Sequence, residues 1–220
     1  MANSIPEKPW AFEWSPENIK AFWNLVVQSP MEKSSFSKIC ANELSDFVEN
    51  FINKDSTILD FGGGSGHFCK AMLNAGYKIG IFEPSGARCD AVPSEVVNHK
   101  NFLGFINSGK FDCVTCFEVL EHIHPDLIGF SLNLIQNLVK DNGLLIGSGP
   151  CNENLENALC ICPNCAAMFH RWQHMRSFTP ELLKGFLKKY GFEISAIDRP
   201  KFSLYSMFFV APNKYNTKIQ

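Results

Sequence analysis

The chain has 220 residues, of which 45% are hydrophobic, and it carries 20 basic and 22 acidic side chains. This size and apolar content suit one domain, with room for an insertion. No basic run is longer than Lys188-Lys189, which argues against a broad surface that follows nucleic-acid phosphates. No apolar stretch approaches the roughly 20 residues of a membrane span, and the N-terminus lacks a signal-peptide layout. We therefore expect a cytoplasmic protein.

The first part of the chain predicts an arm followed by a helix. Residues 1–34 are rich in Pro and Trp and show helical periodicity only over 19–27, so we expect an N-terminal arm with a short helix. Apolar residues then recur at helical spacing from Phe36 to Phe51, which predicts a helix there.

A strand, a glycine-rich turn and a helix follow. Residues 57–61 form a β-branched and apolar run that contains Asp60, and the glycines after it include Gly62, Gly64 and Gly66. Glycine lets a backbone turn sharply and approach a ligand closely. A helix is predicted over 66–75. The alternatives are a plain turn and a dinucleotide site, although GGGSG differs from the G-x-G-x-x-G of dinucleotide enzymes.

The next elements continue the alternation of strands and helices. We predict strands over 78–82, near 96–97, over 111–117 and over 143–149, and helices over 86–90 and 126–139. Such alternation indicates a parallel sheet that is covered on both faces, with ligands beyond the carboxyl ends of its strands. Glu83 ends the second strand, where it is placed to accept hydrogen bonds from ribose hydroxyls.

An insertion interrupts the pattern over 150–177. A helix is then predicted from Thr179, as its N-cap, to Tyr190, with Gly191 as its C-cap. Two final strands, 192–197 and 204–210, are close enough to form a hairpin that gives one antiparallel edge strand. Residues 212–220 are expected to form a tail.

The order and separation of three segments carry a resemblance to a known family. Asp60 with its glycine loop, FDCVTCFEVLEHI and DNGLLIGSGP resemble the class I S-adenosylmethionine-dependent methyltransferases over roughly residues 35–211. The resemblance implies a doubly wound α/β fold with a seven-stranded, mostly parallel sheet. It also implies S-adenosylmethionine as cofactor, with Asp60, Gly62, Gly64 and Gly66 in the cofactor loop, Glu83 on the ribose and Phe117 beside the methionine part.

Glu118, Glu121 and His122 form an E-x-x-E-H motif. In a helical turn these three side chains would share one face, where a divalent cation would relieve the repulsion of the two carboxylates. The alternative is that Glu118 contacts the cofactor region, Glu121 is solvated and His122 caps a carbonyl. The motif resembles that of the ubiquinone-pathway O-methyltransferases and the small-RNA 2′-O-methyltransferases, which implies magnesium or another divalent metal, with His174 as fourth ligand or His170 in its place.

Nine cysteines in a reducing compartment are core residues, metal ligands or reactive thiols. Cys160, Cys162, Cys165 and His170 have the composition of a structural zinc site. Cys151 could replace Cys160, and the alternative is an ordinary loop with reduced thiols.

These observations together predict methyl transfer to a hydroxyl of a small molecule or glycan-type metabolite, with Glu118, His122 and His124 as the candidate catalytic residues. Without a metal, His122 or His124 would be the general base. The alternatives are 2′-O-methylation of an RNA end, which the balanced charge disfavours, and a non-catalytic cofactor-binding scaffold with a zinc knuckle.

Overall fold

The computed structural model describes residues 8–90, 92–98, 109–203 and 205–213. Parts of the predicted arm and tail, residues 1–7 and 214–220, lie outside the described residues. The described helices are α1 Pro16–Val26, α2 Phe36–Ile39, α3 Ala41–Glu49, α4 His67–Asn74, α5 Gly86–Cys89, α6 Pro125–Leu138 and α7 Pro180–Lys188, with 3₁₀ turns at Pro30–Ser34 and Leu155–Ala158. The strands are β1 Trp10–Ala11, β2 Thr57–Phe61, β3 Lys78–Phe82, β4 Val97–Asn98, β5 Phe111–Phe117, β6 Val139–Pro150, β7 Leu159–Ile161, β8 Ala167–His170, β9 Ala196–Asp198 and β10 Ser206–Pro212.

The main sheet has the strand order β4-β3-β2-β5-β6-β10-β9. Its strands pair in parallel from β4 to β6, as the alternating pattern predicts. Strand β10 is antiparallel to both of its neighbours, β6 and β9. The prediction of an antiparallel edge strand is therefore wrong in position. The hairpin partner β9 takes the edge, and the long apolar strand β10 takes the buried place inside.

Both faces of the sheet are covered, which confirms the predicted mixed α/β architecture. Helices α6 and α7 pack on one face through buried residues such as Leu132 and Leu187. Helices α3 and α4 pack on the other face through residues such as Val48 and Met72. Strands buried on both faces cannot alternate polar with apolar residues, which explains their continuous apolar runs.

Several element boundaries follow the local chemistry of the sequence. Thr179 caps α7 by accepting the Leu182 N–H at 3.2 Å, and Pro180 occupies the first turn. The single helix expected over 36–51 is wrong, because the chain leaves helical geometry at Cys40 and forms α2 and α3 instead. The strand expected over 192–197 is shorter, at Ala196–Asp198.

The insertion forms a second, smaller sheet together with the arm. Strands β7 and β8 make an antiparallel hairpin, and β1 of the arm pairs with β8 in parallel. The Trp10 indole N–H also donates to the Cys165 carbonyl at 2.7 Å. The arm is thus held against the insertion. Within the described residues, no helix is long and apolar enough to cross a membrane.

Candidate active site

A cavity of about 1390 Å³ opens beyond the carboxyl ends of β2, β3 and β5. It is bounded by the glycine loop, by the segment after β5, by the insertion and by α1 of the arm. Its lining includes Gly62, Gly64, Glu83, Phe117, Glu118, His122, His124 and His174. The structure therefore brings most of the sequence-predicted site residues to one cavity, as expected for ligands of an open α/β sheet.

The backbone conformation of the glycine loop does not tolerate side chains at its glycine positions. Gly62, Gly64 and Gly66 have φ angles of 76°, 59° and 75°, which only glycine adopts without strain. A Cβ atom at Gly63 would lie 2.3 Å from an oxygen of Asp60. Gly66 caps α4 and does not line the cavity, whereas Gly62 and Gly64 do.

Two buried carboxylates flank this loop. Asp60 accepts a hydrogen bond from the Thr115 hydroxyl at 2.8 Å, and burial raises the pKa of Asp60 to about 7. Glu83 accepts the backbone N–H groups of Gly64 at 2.9 Å and of Ser85 at 2.8 Å, and burial raises its pKa. Because a carboxylate has about four acceptor positions, Glu83 can still accept from hydroxyls in the cavity.

The segment after β5 is not helical, so the expected helical turn of the E-x-x-E-H motif is wrong. Glu118 has a φ of 51° and the chain then follows turns up to Ile123. The Glu118 carboxylate accepts a hydrogen bond from the Ser148 hydroxyl at 2.7 Å. Burial raises the pKa of Glu118 above its ordinary value. Because the backbone of Glu118 is left-handed at the end of β5, the residues that follow it turn toward the cavity and line its wall.

Glu121, His122 and His174 nonetheless come together, with one potential ligand atom from each within 4.8 Å of the others. The Glu121 side chain is fully buried, and neither of its oxygens has a hydrogen-bond partner among the described residues. Burial, followed by the nearby charge of Glu118, raises its pKa. A buried carboxylate without donors is costly unless a proton or a cation compensates it.

The two histidines of this group are suited to act as neutral ligands. Burial, with a further contribution from His174, lowers the pKa of His122 well below its ordinary value. Burial also lowers the pKa of His174. The His122 Nε2 lies 3.7 Å from a Glu121 oxygen, and the ring centroids of His122 and His174 are 4.8 Å apart. Glu118, the fourth residue of the predicted set, lies outside this three-residue group.

Glu153 and His170 of the insertion adjoin His174. Glu153 contacts the His174 Nδ1 at 2.6 Å and the His170 Nε2 at 3.3 Å. The rings of His170 and His174 are stacked, with centroids 4.4 Å apart and planes inclined by 20°. Burial lowers the pKa of His170.

The structure groups His170 with Glu153 and His174, and not with the cysteines of the predicted zinc site. His170 is 4% exposed and points toward Glu153, whereas Cys160 and Cys165 are exposed on the hairpin. Neither group of three potential metal ligands found among the described residues contains a cysteine. Side chains alternate between the two faces along β8, and His170 at its end faces inward, whereas Cys160 lies on β7 and the other two cysteines lie in the turn of the hairpin.

The arm also contributes to the cavity wall. The Trp23 indole N–H donates to the Gln173 side-chain carbonyl at 3.0 Å, and the Gln173 amide donates to the His122 carbonyl at 2.9 Å. Arg88 lies over the Trp23 ring at 4.5 Å. Helix α1 is thereby connected to the segment that carries His122.

Two further predicted residues have defined places. Phe117 is buried and packs edge to face against Phe68, with ring centroids 5.2 Å apart. His124 is the N-cap of α6, and its Nδ1 accepts the Asp126 backbone N–H at 3.3 Å. Both line the cavity.

The sequence of this chain matches a known protein family. A family model described as a methyltransferase domain matches residues 35–197. The chain belongs to this family. Its enzyme class is that of the S-adenosylmethionine-dependent methyltransferases, which agrees with the predicted class. No curated protein matches the chain in sequence.

Solved structures of methyltransferases have the same fold. The 1,6-didemethyltoxoflavin-N1-methyltransferase of Burkholderia thailandensis is 18% identical, with a TM-score of 0.68 over 94% of this chain and 93% of its own. The magnesium protoporphyrin IX methyltransferase of Synechocystis PCC 6803 is 14% identical, with a TM-score of 0.60 over 91% and 100%. The CcbJ methyltransferase of Streptomyces caelestis is 14% identical, with a TM-score of 0.59 over 79% and 89%. At these identities the likeness shows a shared fold.

Sequence reasoning missed Glu153, Gln173 and Arg88 as neighbours of this methyltransferase cavity. None of them belongs to a recognisable motif. Only the structure draws attention to Gln173, because its amide is fully buried and its backbone has a φ of 63°. Buried amides need partners, and here the partners are Trp23 and the His122 carbonyl.

Proposed function

We propose that this methyltransferase transfers a methyl group to a hydroxyl oxygen of a small molecule or glycan-type metabolite, with a divalent metal at Glu121, His122 and His174. The observation that carries the proposal is the Glu121 carboxylate. It is fully buried beside two imidazoles, and neither oxygen has a hydrogen-bond partner among the described residues.

The donor atoms fit a metal ion. Across a shared ion with bonds of about 2.1 Å, two ligand atoms lie about 3.0 to 3.6 Å apart, depending on the bond angle. The 3.7 Å between the Glu121 oxygen and the His122 Nε2 is close to this range. Two imidazoles with one carboxylate favour a transition metal, such as manganese, iron or zinc, over magnesium. Such an ion, when bound, lowers the pKa of a coordinated hydroxyl.

We assign the cofactor-binding residues from their position at the same cavity. Asp60, Gly62, Gly64 and Gly66 would form the cofactor loop, with Glu83 accepting the ribose hydroxyls and Phe117 beside the methionine part. S-adenosylmethionine supplies the methyl group on a sulfonium sulfur. The shape of the loop supports this role, because the backbone at Gly62 and Gly64 lines the cavity without side chains.

As the new O–C bond forms, the bond between the methyl carbon and the sulfonium sulfur breaks, and the neutral thioether leaves. The acceptor must lose its hydroxyl proton in the same reaction. Glu118 is the proposed proton acceptor, because burial raises its pKa toward neutrality, where a general base is most effective. Its hydrogen bond to Ser148 fixes the carboxylate at the cavity wall. His124 is the next candidate, since it lines the same cavity.

Metal content and methyl transfer together test this function. Protein purified without chelators would be analysed for bound metal and assayed with labelled S-adenosylmethionine on a panel of catechols, phenols, glycosides and amines. We expect a metal in the wild type, its loss in Glu121→Ala and His122→Ala, and a fall in hydroxyl methylation of at least 100-fold. Exposed Glu156→Ala is the matched control. Full activity in the chelated protein, or methylation confined to amines, would refute the proposal.

A further inference from the structure

Glu153 lies between two imidazole rings of the insertion. One carboxylate oxygen contacts the His174 Nδ1 at 2.6 Å, and the other lies 3.3 Å from the His170 Nε2. One potential ligand atom from each of Glu153, His170 and His174 lies within 4.8 Å of the others, so these residues form a second candidate metal-binding group. The distances decide between a metal site and a hydrogen-bonded pair of Glu153 and His174.

A shared metal ion does not fit between Glu153 and His174. Two ligand atoms on one ion with bonds of about 2.1 Å are separated by about 3.0 Å or more. The 2.6 Å contact is shorter and has the length of a strong charge-assisted hydrogen bond. The 3.7 Å separation of the Glu121 oxygen and the His122 Nε2, by contrast, leaves space for an ion.

The hydrogen-bond network fixes the proton positions on both rings. The His170 Nδ1 accepts the backbone N–H groups of Trp172 at 3.3 Å and of His174 at 3.1 Å, so its proton belongs on Nε2, which faces Glu153. The other Glu153 oxygen then receives the Nδ1 proton of His174. The His174 Nε2 is left with a free lone pair.

We propose that Glu153 is a positioning residue that holds His174 in the Nδ1-protonated tautomer, so that its Nε2 binds a divalent metal together with Glu121 and His122. This inference rests on the proposed function. A histidine that ligates a metal through one nitrogen and donates from the other to a carboxylate is oriented and made more basic by that carboxylate. His170 lies on the far side of Glu153, with its Nε2 3.3 Å from the other carboxylate oxygen.

The insertion would contribute directly to the proposed metal site. Glu153, His170 and His174 all belong to residues 150–177, whereas Glu121 and His122 follow strand β5. The insertion would therefore supply one metal ligand and the pair of residues that orient it. Its hairpin pairs with strand β1, which anchors this element to the arm.

Glu153→Gln tests the inference, with exposed Glu156→Gln as the matched control. A neutral amide is a weaker acceptor than a carboxylate, so the Glu153→Gln variant would hold the Nδ1 proton of His174 less firmly, and the amide N–H group would disfavour the present placement of the rings. Mn²⁺ affinity would be measured by calorimetry, and the tautomers in chelated protein by ¹⁵N-edited NMR of the histidine rings. S-adenosylmethionine binding reports that each variant is folded.

We expect the wild type to show the Nδ1–H tautomer at His174, and Glu153→Gln to show a smaller fraction of it and to bind Mn²⁺ about 10- to 100-fold more weakly. Glu156→Gln should match the wild type in both measurements. Wild-type Mn²⁺ affinity in Glu153→Gln would overturn the role of Glu153 while leaving the metal site intact. A wild type that binds no divalent metal would instead refute the metal part of the proposed function, and this inference with it.

Discussion

Trp23 of the arm and His122 of the E-x-x-E-H motif lie edge to face, with ring centroids 4.8 Å apart and planes inclined by 80°. Residue 23 belongs to α1 of the N-terminal arm, about a hundred residues before His122 in the chain. The indole N–H is held by Gln173, and Gln173 is held by the His122 carbonyl. The arm thus contacts the ring of His122 directly through Trp23, and it contacts the backbone of His122 indirectly through Gln173.

Removing the Trp23 side chain should weaken catalysis through His122. An aromatic pair contributes about 0.5–1.5 kcal/mol beyond its buried area, and Trp23→Ala also leaves the buried Gln173 carbonyl without its donor. We expect Trp23→Ala to lower kcat/KM roughly tenfold or more, and Trp23→Phe to lower it less. Steady-state kinetics at saturating cofactor would measure the effect, with the melting temperature as a check of folding. Equal rates in Trp23→Ala and the wild type would contradict a supporting role.

Glu83 should determine affinity for the cofactor. A hydrogen bond to a charged acceptor contributes about 1.5–3 kcal/mol. Glu83→Gln retains the size of the side chain but not its charge, and the amide nitrogen would oppose the Gly64 or Ser85 N–H that the carboxylate now accepts. We expect S-adenosylmethionine to bind at least tenfold more weakly, as measured by calorimetric titration. Exposed Glu43→Gln on α3 is the control, and unchanged binding in Glu83→Gln would exclude Glu83 from the cofactor site.

Asp60 should make the metal-free and cofactor-free protein less stable as the pH rises. Burial raises the pKa of Asp60 in the folded state to about 7, whereas an unfolded Asp titrates near about 3.9. Between these values the folded state binds more protons than the unfolded state, so the free energy of unfolding falls with increasing pH. The loss for this group is on the order of 4 kcal/mol.

Urea unfolding with a chelator present, at pH 5 and pH 7.5, would measure the larger part of this loss, about 2.5 kcal/mol. Asp60→Asn keeps an acceptor for the Thr115 hydroxyl but cannot ionise, so its stability should depend less on pH than that of the wild type. Identical pH dependence in the two proteins would show that Asp60 titrates normally in the folded state.

Asp112 should stabilise the fold at neutral pH and lose this effect in acid. Its carboxylate accepts from the Lys140 ammonium at 2.8 Å and from the Thr57 N–H and hydroxyl at 2.8 and 2.7 Å. Lys140 is the first of the causes that lower the pKa of Asp112 to about 2. A depressed carboxyl pKa stabilises the protein above the unfolded pKa, near 3.9, and this contribution disappears as the pH falls through about 2.

The side chain of Asp112 is about one-third exposed, at 35%, so solvent screening reduces the stabilisation to about 1 kcal/mol. We expect Asp112→Asn to lower the free energy of unfolding by about this amount at pH 7 and by little at pH 2. Chemical denaturation at the two pH values would measure the difference. Asp141→Asn, at the exposed Lys110 ion pair, is the comparison, and a loss in Asp112→Asn that is equally large at pH 2 would count against ionisation as the cause.

The sequence by itself determined the elements whose signals are local. Strand β2, the glycine loop and helix α4 follow from the order of an apolar run, Asp60 and four glycines, because backbone sterics permit few other conformations there. Thr179 and Pro180 begin α7 for an equally local reason. The alternation of strands and helices then determined the architecture, and with it the edge of the sheet at which Glu83 and Glu118 both line the cavity.

Only the tertiary structure decided how the remaining side chains group. His170 and His174 are four residues apart, and spacing alone allowed either to pair with the cysteines or with Glu121. Their partners depend on how β8 packs, which turns His170 inward to Glu153 and away from Cys162. Trp23 reaches His122 only because β1 pairs with β8 and brings α1 to the cavity. Such contacts between distant segments depend on burial and on strand register, which no short stretch of sequence encodes.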